Sequence, residues 1–202
     1  IILIAYENCN IDLLKNNQII NISDIKRKEI AGEKIINNIT INSGIGYLST
    51  SIGLILVDLE NEEIKDTYNL GESANTYEVN GCAFIGDSII VATSNGMYFS
   101  NKNNPFLADY NNWNLYSSGF YDDVIGSNTE LFLDTSALIT SISYNNTTYI
   151  KTFSDSIIVN NTVLLSHSKF ENIRYAIADS EAIIWVADSV NGLLKFKNFT
   201  IV

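Results

Sequence analysis

The sequence predicts an all-β fold, a β-propeller segment of about four to five four-stranded blades that belongs to a larger, seven-bladed propeller. One observation is a recurring hairpin: Ile183 to Phe196 reads as an apolar run, a small residue, a polar pair, a glycine and a second apolar run. Asn191-Gly192 there supplies the positive φ that a tight hairpin turn needs. Tyr47 to Val57 and Ile89 to Phe99 repeat the pattern. A second observation is the spacing, since Asn10, Gly53 and Gly96 follow one another at intervals of 43 residues. A period of about 40 to 45 residues with several short strands is the signature of propeller blades. Composition is the third: 46% hydrophobic residues, one proline and 17% charged residues suit a globular chain rich in strands, and no stretch has helical periodicity.

In chain order, Ile1 to Tyr6 reads as a strand, Glu7 to Asn10 as a turn and Ile11 to Leu14 as a second strand. The next blade places strands at Ile35 to Ile41, Tyr47 to Thr50, Leu54 to Leu59 and Glu63 to Tyr68. The following one runs through Tyr77 to Ile85, Ser88 to Thr93, Met97 to Ser100 and Trp113 to Tyr116, with Lys102 to Asn112 as a long polar connection. Central strands between two neighbouring blades are buried on both faces, so Leu54 to Val57 and Ile89 to Val91 are continuously apolar. The asparagine pairs at 16–17, 103–104, 145–146 and 160–161 suit turns, because asparagine tolerates left-handed backbone.

From Gly96 to the next marker, Gly192, there are 96 residues, so one blade between them has lost its glycine. Leu131 to Ala137 is one position for its hairpin, followed by strands at Ile139 to Tyr144 and Thr148 to Phe153; in a second register Ile139 to Tyr144 is the inner strand. Ser156 to Val159 and Thr162 to Ser166 form another hairpin, and the last repeat starts near Tyr175. The whole of residues 1–202 is expected to be one partial propeller domain that begins and ends inside a blade, with no pairing between Ile1 to Tyr6 and Phe199 to Val202.

At 202 residues the chain suffices for a domain burying roughly 70% of its unfolded surface. Twelve basic against 23 acidic residues, a net charge of −11, disfavour binding to nucleic acid or to anionic lipid by charge alone. The short cluster Lys26-Arg27-Lys28 reads as a solvated turn. No apolar run approaches the ~18 residues of a membrane-spanning helix. The sequence starts at Ile1, inside a strand, which leaves room for an earlier leader or domain. Cys9 and Cys82 are compatible with a disulfide or with two buried thiols.

The residues that bear chemistry are sparse. His167 is the single histidine, so it permits at most a Ser-His-Asp arrangement with Ser166 or Ser168, and reads as a surface residue. The cysteines lack the spacing of a zinc or redox pair. Asn8, Asn10 and Asp12 resemble the first half of a calcium loop, but Leu13 and Ile19 stand where its glycine and last glutamate belong, so a hairpin turn is expected. Asp122-Asp123 and Glu62-Glu63 lie beside connections and read as solvated turns. Trp113 and Trp185 offer stacking surfaces for a sugar, although Trp185, in a central strand, is expected in the core. Asp188 follows Ala187 as Thr93 follows Ala92 and is expected to accept hydrogen bonds in a turn. No catalytic, cofactor-binding or metal-ligating residue is assigned.

The pattern of a strand, Ala-Thr or Ala-Asp and then glycine resembles propeller repeats in periplasmic sensors of hybrid two-component regulators of Bacteroidetes. Longer strings extend the likeness: Ile4-Ala5-Tyr6 with Asn10 to Leu14, Ile22 to Lys28, Tyr47 to Thr50, Gly53 to Asp58, Glu63 to Tyr68 with Gly71, and Ala187-Asp188 with Asn191-Gly192-Leu193. These resemble the first propeller of the PorZ family of type IX (Por) secretion-system components. That resemblance implies an exported, cell-surface, non-enzymatic protein with two propellers and a C-terminal sandwich. It also implies an attachment complex with the sortase PorU, PorV and PorQ, and delivery of anionic lipopolysaccharide for conjugation to cargo. The first resemblance implies instead a periplasmic glycan-sensing propeller. No site residue carries over from either.

Overall fold

The computed structural model describes residues 1–6, 8–29, 33–72, 76–116, 141–144, 149–160, 163–179, 181–197 and 200–201. Ile2–Ala5 (β1), Ile11–Lys15 (β2) and Gln18–Ile22 (β3) form a three-stranded antiparallel meander, followed by the one-turn helix Asp24–Arg27 (α1). The second sheet is Ile36–Asn42 (β4), Ile45–Thr50 (β5), Gly53–Asp58 (β6) and Glu63–Tyr68 (β7). Val79–Ile85 (β8), Ser88–Thr93 (β9), Gly96–Asn101 (β10) and Asn114–Leu115 (β11) make the third. Ser141–Tyr144 (β12), Tyr149–Thr152 (β13), Ser156–Val159 (β14) and Val163–Ser166 (β15) make the fourth, and Ile173–Ala178 (β16), Ile184–Asp188 (β17), Gly192–Lys197 (β18) and Thr200–Ile201 (β19) the fifth. Each sheet is an up-and-down meander in sequence order, which is the construction of a propeller blade.

Consecutive blades are joined face to face by separate cores. Ile11, Leu13 and Ile22 meet Leu48, Ile55 and Val57 between the first two blades. Leu54 and Leu56, on the other face of β6, meet Val79, Cys82, Ile89 and Val91 of the third. Ala83, Ile90 and Ala92 meet Ile142 of the fourth, and Ile150 and Ile157 meet Ala176, Ile184, Val186 and Phe196 of the fifth. Every residue from Leu54 to Val57 is therefore buried, as expected of a strand between two blades.

The first strands of the second to fifth sheets, β4, β8, β12 and β16, lie side by side in that order, and side chains tie β4 to β8: Asn37 Nδ2 donates to the Val79 carbonyl and Thr40 Oγ1 to the Cys82 carbonyl, both at 2.9 Å. A register shift near the start of β4, β8 and β16 leaves Asn37, Asn80 and Arg174 as the extra residues of three bulges. Ser141–Tyr144 occupies the first-strand place of its sheet, so the register with Ile139 to Tyr144 as the inner strand is the one adopted. Leu131 to Ala137 lies outside the described residues. The place of the missing glycine falls at Ser156: its carbonyl accepts from Phe153 N at 2.8 Å across the turn Ser154-Asp155, as Gly53 opposes Thr50 across Ser51-Ile52.

The turns differ from the expected Asn-Gly type. Only the glycines, Gly53, Gly96 and Gly192, take positive φ, whereas Asn95 and Asn191 do not. At the first two turns the preceding threonine explains this: Thr50 Oγ1 accepts from Ile52 N at 3.1 Å and donates to the Gly53 carbonyl at 2.7 Å, and Thr93 does the same with Asn95 and Gly96. With the turn closed by that hydroxyl, isoleucine serves as well as asparagine in the third place. Left-handed asparagines occur at Asn16-Asn17, which joins β2 to β3, and at Asn160. Positions 145–146 and 161 lie outside the described residues.

Candidate functional site

In an antiparallel meander, the turn between the second and third strands and the connection leading to the next blade emerge at the same end. On this face the two are latched together. Ser51 N donates to the Ile35 carbonyl at 3.0 Å, Ser94 N to Glu78 at 2.9 Å and Ser189 N to Asn172 at 3.0 Å. Asp188 adds a stronger latch: Oδ1 accepts from Val190 N and Asn191 N, and Oδ2 from Asn172 N, all at 2.9 Å, and Oδ2 from Glu171 N at 3.0 Å. Burial pushes this carboxyl up, but the four N–H donors outweigh burial and hold it at about 2. Asp188 is thus committed to backbone donors.

Among the concavities on this rim, two adjoin each other where connections of different blades meet. A cavity of about 480 Å³ lies between α1 and the second blade, with Ile25, Ile52, Ile55 and Ile64 as its apolar lining and Thr67, Asn69 and Thr76 among its polar residues. A polar cleft of about 520 Å³ is bounded by Asn69, Gly71 and Glu72 on the connection after β7, and by Asp109, Tyr110 and Asn111 on the loop before β11. Asn69 lines both.

The loop wall of the cleft is pinned from within. Trp113 Nε1 donates to the Leu107 carbonyl at 2.8 Å, Asn112 Nδ2 to the Phe106 carbonyl at 3.0 Å, and Asn111 N to Asp109 Oδ1 at 3.0 Å. Behind Tyr110 stand two more tyrosines. Tyr98 lies with its ring centroid 5.8 Å from that of Tyr110, and Tyr77 stacks on Tyr98 at 6.1 Å and 24°. Tyr110 OH lies 3.3 Å from Tyr98 OH, which also accepts from Asn95 Nδ2 at 2.9 Å. Burial pushes the Tyr98 hydroxyl up to about 12, so it stays protonated and able to donate.

The residues singled out from the sequence lie elsewhere. His167 is exposed, accepts from Lys169 N at 3.1 Å through Nδ1 and packs edge-on to Phe170 and Phe196. Cys9 and Cys82 are free, buried thiols in two different inter-blade cores. Asp12 spends its oxygens on Tyr6 OH at 2.8 Å, Asn21 Nδ2 at 2.7 Å and Asn10 Nδ2 at 3.5 Å, within a hairpin network. Glu62 pairs with Lys15 of the first blade at 2.8 Å, while Glu63 is exposed at the start of β7. Arg27 pairs with Asp24 at 3.0 Å on an exposed turn. Asp122-Asp123 lies outside the described residues. Among the described residues no three His, Cys, Asp or Glu side chains cluster as metal ligands would, and no helix is long and apolar enough to cross a membrane.

Trp113 is buried, but Trp185 departs from its expected place in the core. β17 alternates, with Ile184, Val186 and Asp188 buried and Trp185 and Ala187 half-buried on the opposite face. Trp185 donates to Asp179 Oδ2 at 2.8 Å, with Lys195 Nζ 5.1 Å from its ring centroid. The Asn69 junction, the tyrosine trio and a fully buried Lys151, whose ammonium burial pulls down to about 7, were not evident from the sequence. Clustered tyrosines near an Asn-rich connection were the one available signal.

No curated protein sequence matches the chain. Among solved structures it is similar to PorZ, an essential bacterial surface component of the type-IX secretion system of Porphyromonas gingivalis. That similarity has 19% identity and a TM-score of 0.63 over 96% of this chain and 25% of that one. Two extracellular domains assigned to hybrid two-component systems of B. thetaiotaomicron align at 14% identity. One has a TM-score of 0.57 over 99% of this chain and 28% of its own, the other 0.55 over 96% and 25%. The chain thus spans about a quarter of the length of these structures, and the likeness to them is one of fold. A family profile described as TSS9, PorZ, N-terminal beta-propeller domain matches residues 1–114, which cover the first three sheets up to the start of β11. With more than half of its 202 residues matched in this way, the chain belongs to the family of PorZ N-terminal β-propeller domains.

Proposed function

We propose that this chain is a non-enzymatic binding and scaffolding propeller of an exported, cell-surface protein that acts in type IX secretion. The single observation that carries the reading is the family match over residues 1–114. In this reading its partners are PorU-, PorV- and PorQ-like attachment proteins, and its role is to help deliver anionic lipopolysaccharide to the sortase. The net charge of −11 favours protein contacts on this segment over direct capture of an anionic glycolipid, which then falls to other parts of the assembly.

The sheets are read as part of a larger, seven-bladed ring. The outward faces of the first and fifth sheets support this, since Ile2, Ile4 and Ile19 on one, and Ile177, Trp185 and Leu193 on the other, are apolar and exposed or half-exposed.

Affinity isolation of the full-length protein from a native outer-membrane extract tests the function. Co-purification of the sortase and its attachment partners is expected. Recovery of none of them, together with retention on a neutral glycan column, would replace this reading by that of a periplasmic glycan sensor.

A further inference from the structure

We propose that the cavity and the cleft joined at Asn69 are one bipartite groove for an extended peptide of a partner protein. The peptide carries an apolar side chain and, within a few residues of it, a basic one. This rests on the reading of the chain as a binding module and specifies the chemistry of what it binds.

Four isoleucines, Ile25, Ile52, Ile55 and Ile64, line the first half and suit a leucine-sized side chain. The lining of the second half includes Glu72, Asp109 and Tyr110 and, among the described residues, no lysine, arginine or histidine. A guanidinium or ammonium group meets two negative charges and an aromatic ring there, a combination that recognises cations. Between the halves, the Asn69 amide has both a donor and an acceptor for a peptide backbone crossing from one to the other.

In the cleft, Glu72 and Asp109 would repel an anionic headgroup. The loop wall of the cleft is also pre-formed, because the loop carrying Asp109 and Tyr110 is held by Trp113, Asn112 and Tyr98 before any ligand arrives. Little ordering free energy is then lost on that wall.

Fluorescence anisotropy on the whole chain tests this with blocked, fluorescein-labelled Gly-Ser peptides in which one leucine and one arginine are separated by one, two or three serines. At least one spacing is expected to bind. Replacing its arginine by glutamate, or its leucine by serine, is expected to weaken binding at least tenfold. Glu72→Gln combined with Asp109→Asn keeps the side-chain shapes and the Asp109 acceptor, and is expected to cost the arginine peptide about tenfold while leaving circular dichroism unchanged. The proposal is overturned if no spacing binds better than a plain Gly-Ser peptide at millimolar concentration, if the glutamate peptide binds equally well, or if maltose displaces the bound peptide. Peptide binding without any recovered secretion partner would sink the secretion role and leave the groove standing, and the opposite pair of results would do the reverse.

Discussion

Asn172 donates its backbone N–H to the Asp188 carboxylate at 2.9 Å, so the entry to the fifth blade and that blade's own hairpin are fastened by one side chain. The folded-state pKa of Asp188 is depressed from 3.8 to about 2. Its contribution is therefore fully present above the unfolded value and is lost as pH falls through 4 towards 2. Asp188→Ala is expected to cost about 1–2 kcal/mol at neutral pH and much less near pH 2. Urea unfolding at the two pH values checks this, and an equal loss at both would contradict it.

Gly53 is held at φ +110°, and a Cβ built there would lie 2.6 Å from the Tyr68 carbonyl oxygen. Gly192, at φ +77°, has nothing within 4 Å of its Cβ position. Gly53→Ala is expected to cost about 2–4 kcal/mol and Gly192→Ala about 1 kcal/mol. Thermal unfolding ranks the two, because each kcal/mol moves Tm by roughly 2–4 °C at this chain length.

Leu54 and Ile55 are adjacent in sequence but belong to different cores, one towards the third blade and one towards the first. Each alanine substitution is expected to cost about 2–5 kcal/mol, with the pair additive to within about 0.5 kcal/mol. A double-mutant cycle in denaturant measures the coupling. Stronger coupling would mean that the two interfaces communicate through the strand.

Cys82 is buried, and burial pushes its thiol up to about 12, well away from the thiolate that reacts. Cys9 is buried as well, and burial raises its thiol. Ellman's reagent is expected to leave both untouched in the native protein and to titrate two thiols after denaturation. Prompt labelling of either at neutral pH would show that its core opens.

Much of the fold was legible because blade strands combine continuous apolar runs with turn residues at a fixed period. β7 and β9 fall where the sequence put them, and β4 to β6 agree within two residues. The fourth blade was harder, because Phe153 and Ser156 replace the threonine and glycine that mark the second and third. Trp185 was misplaced because an apolar run cannot tell burial on two faces from burial on one. The candidate groove was not legible beyond the clustering of tyrosines near an Asn-rich connection. Asn69, Glu72 and Tyr110 line one cleft only because a connection of one blade meets a loop of the next, and nothing in their spacing announces it.

The separate cores between consecutive blades make the molecule a row of couplings instead of a single knot. A blade held on two sides must break two interfaces to open, and a blade held on one side only one. Amide hydrogen exchange on residues 1–202 by themselves should therefore grade along the row, slowest in β6 and β9 and fastest in β1 and β18. In that segment local opening would begin at the outer sheets and leave the frame around Asn69 closed.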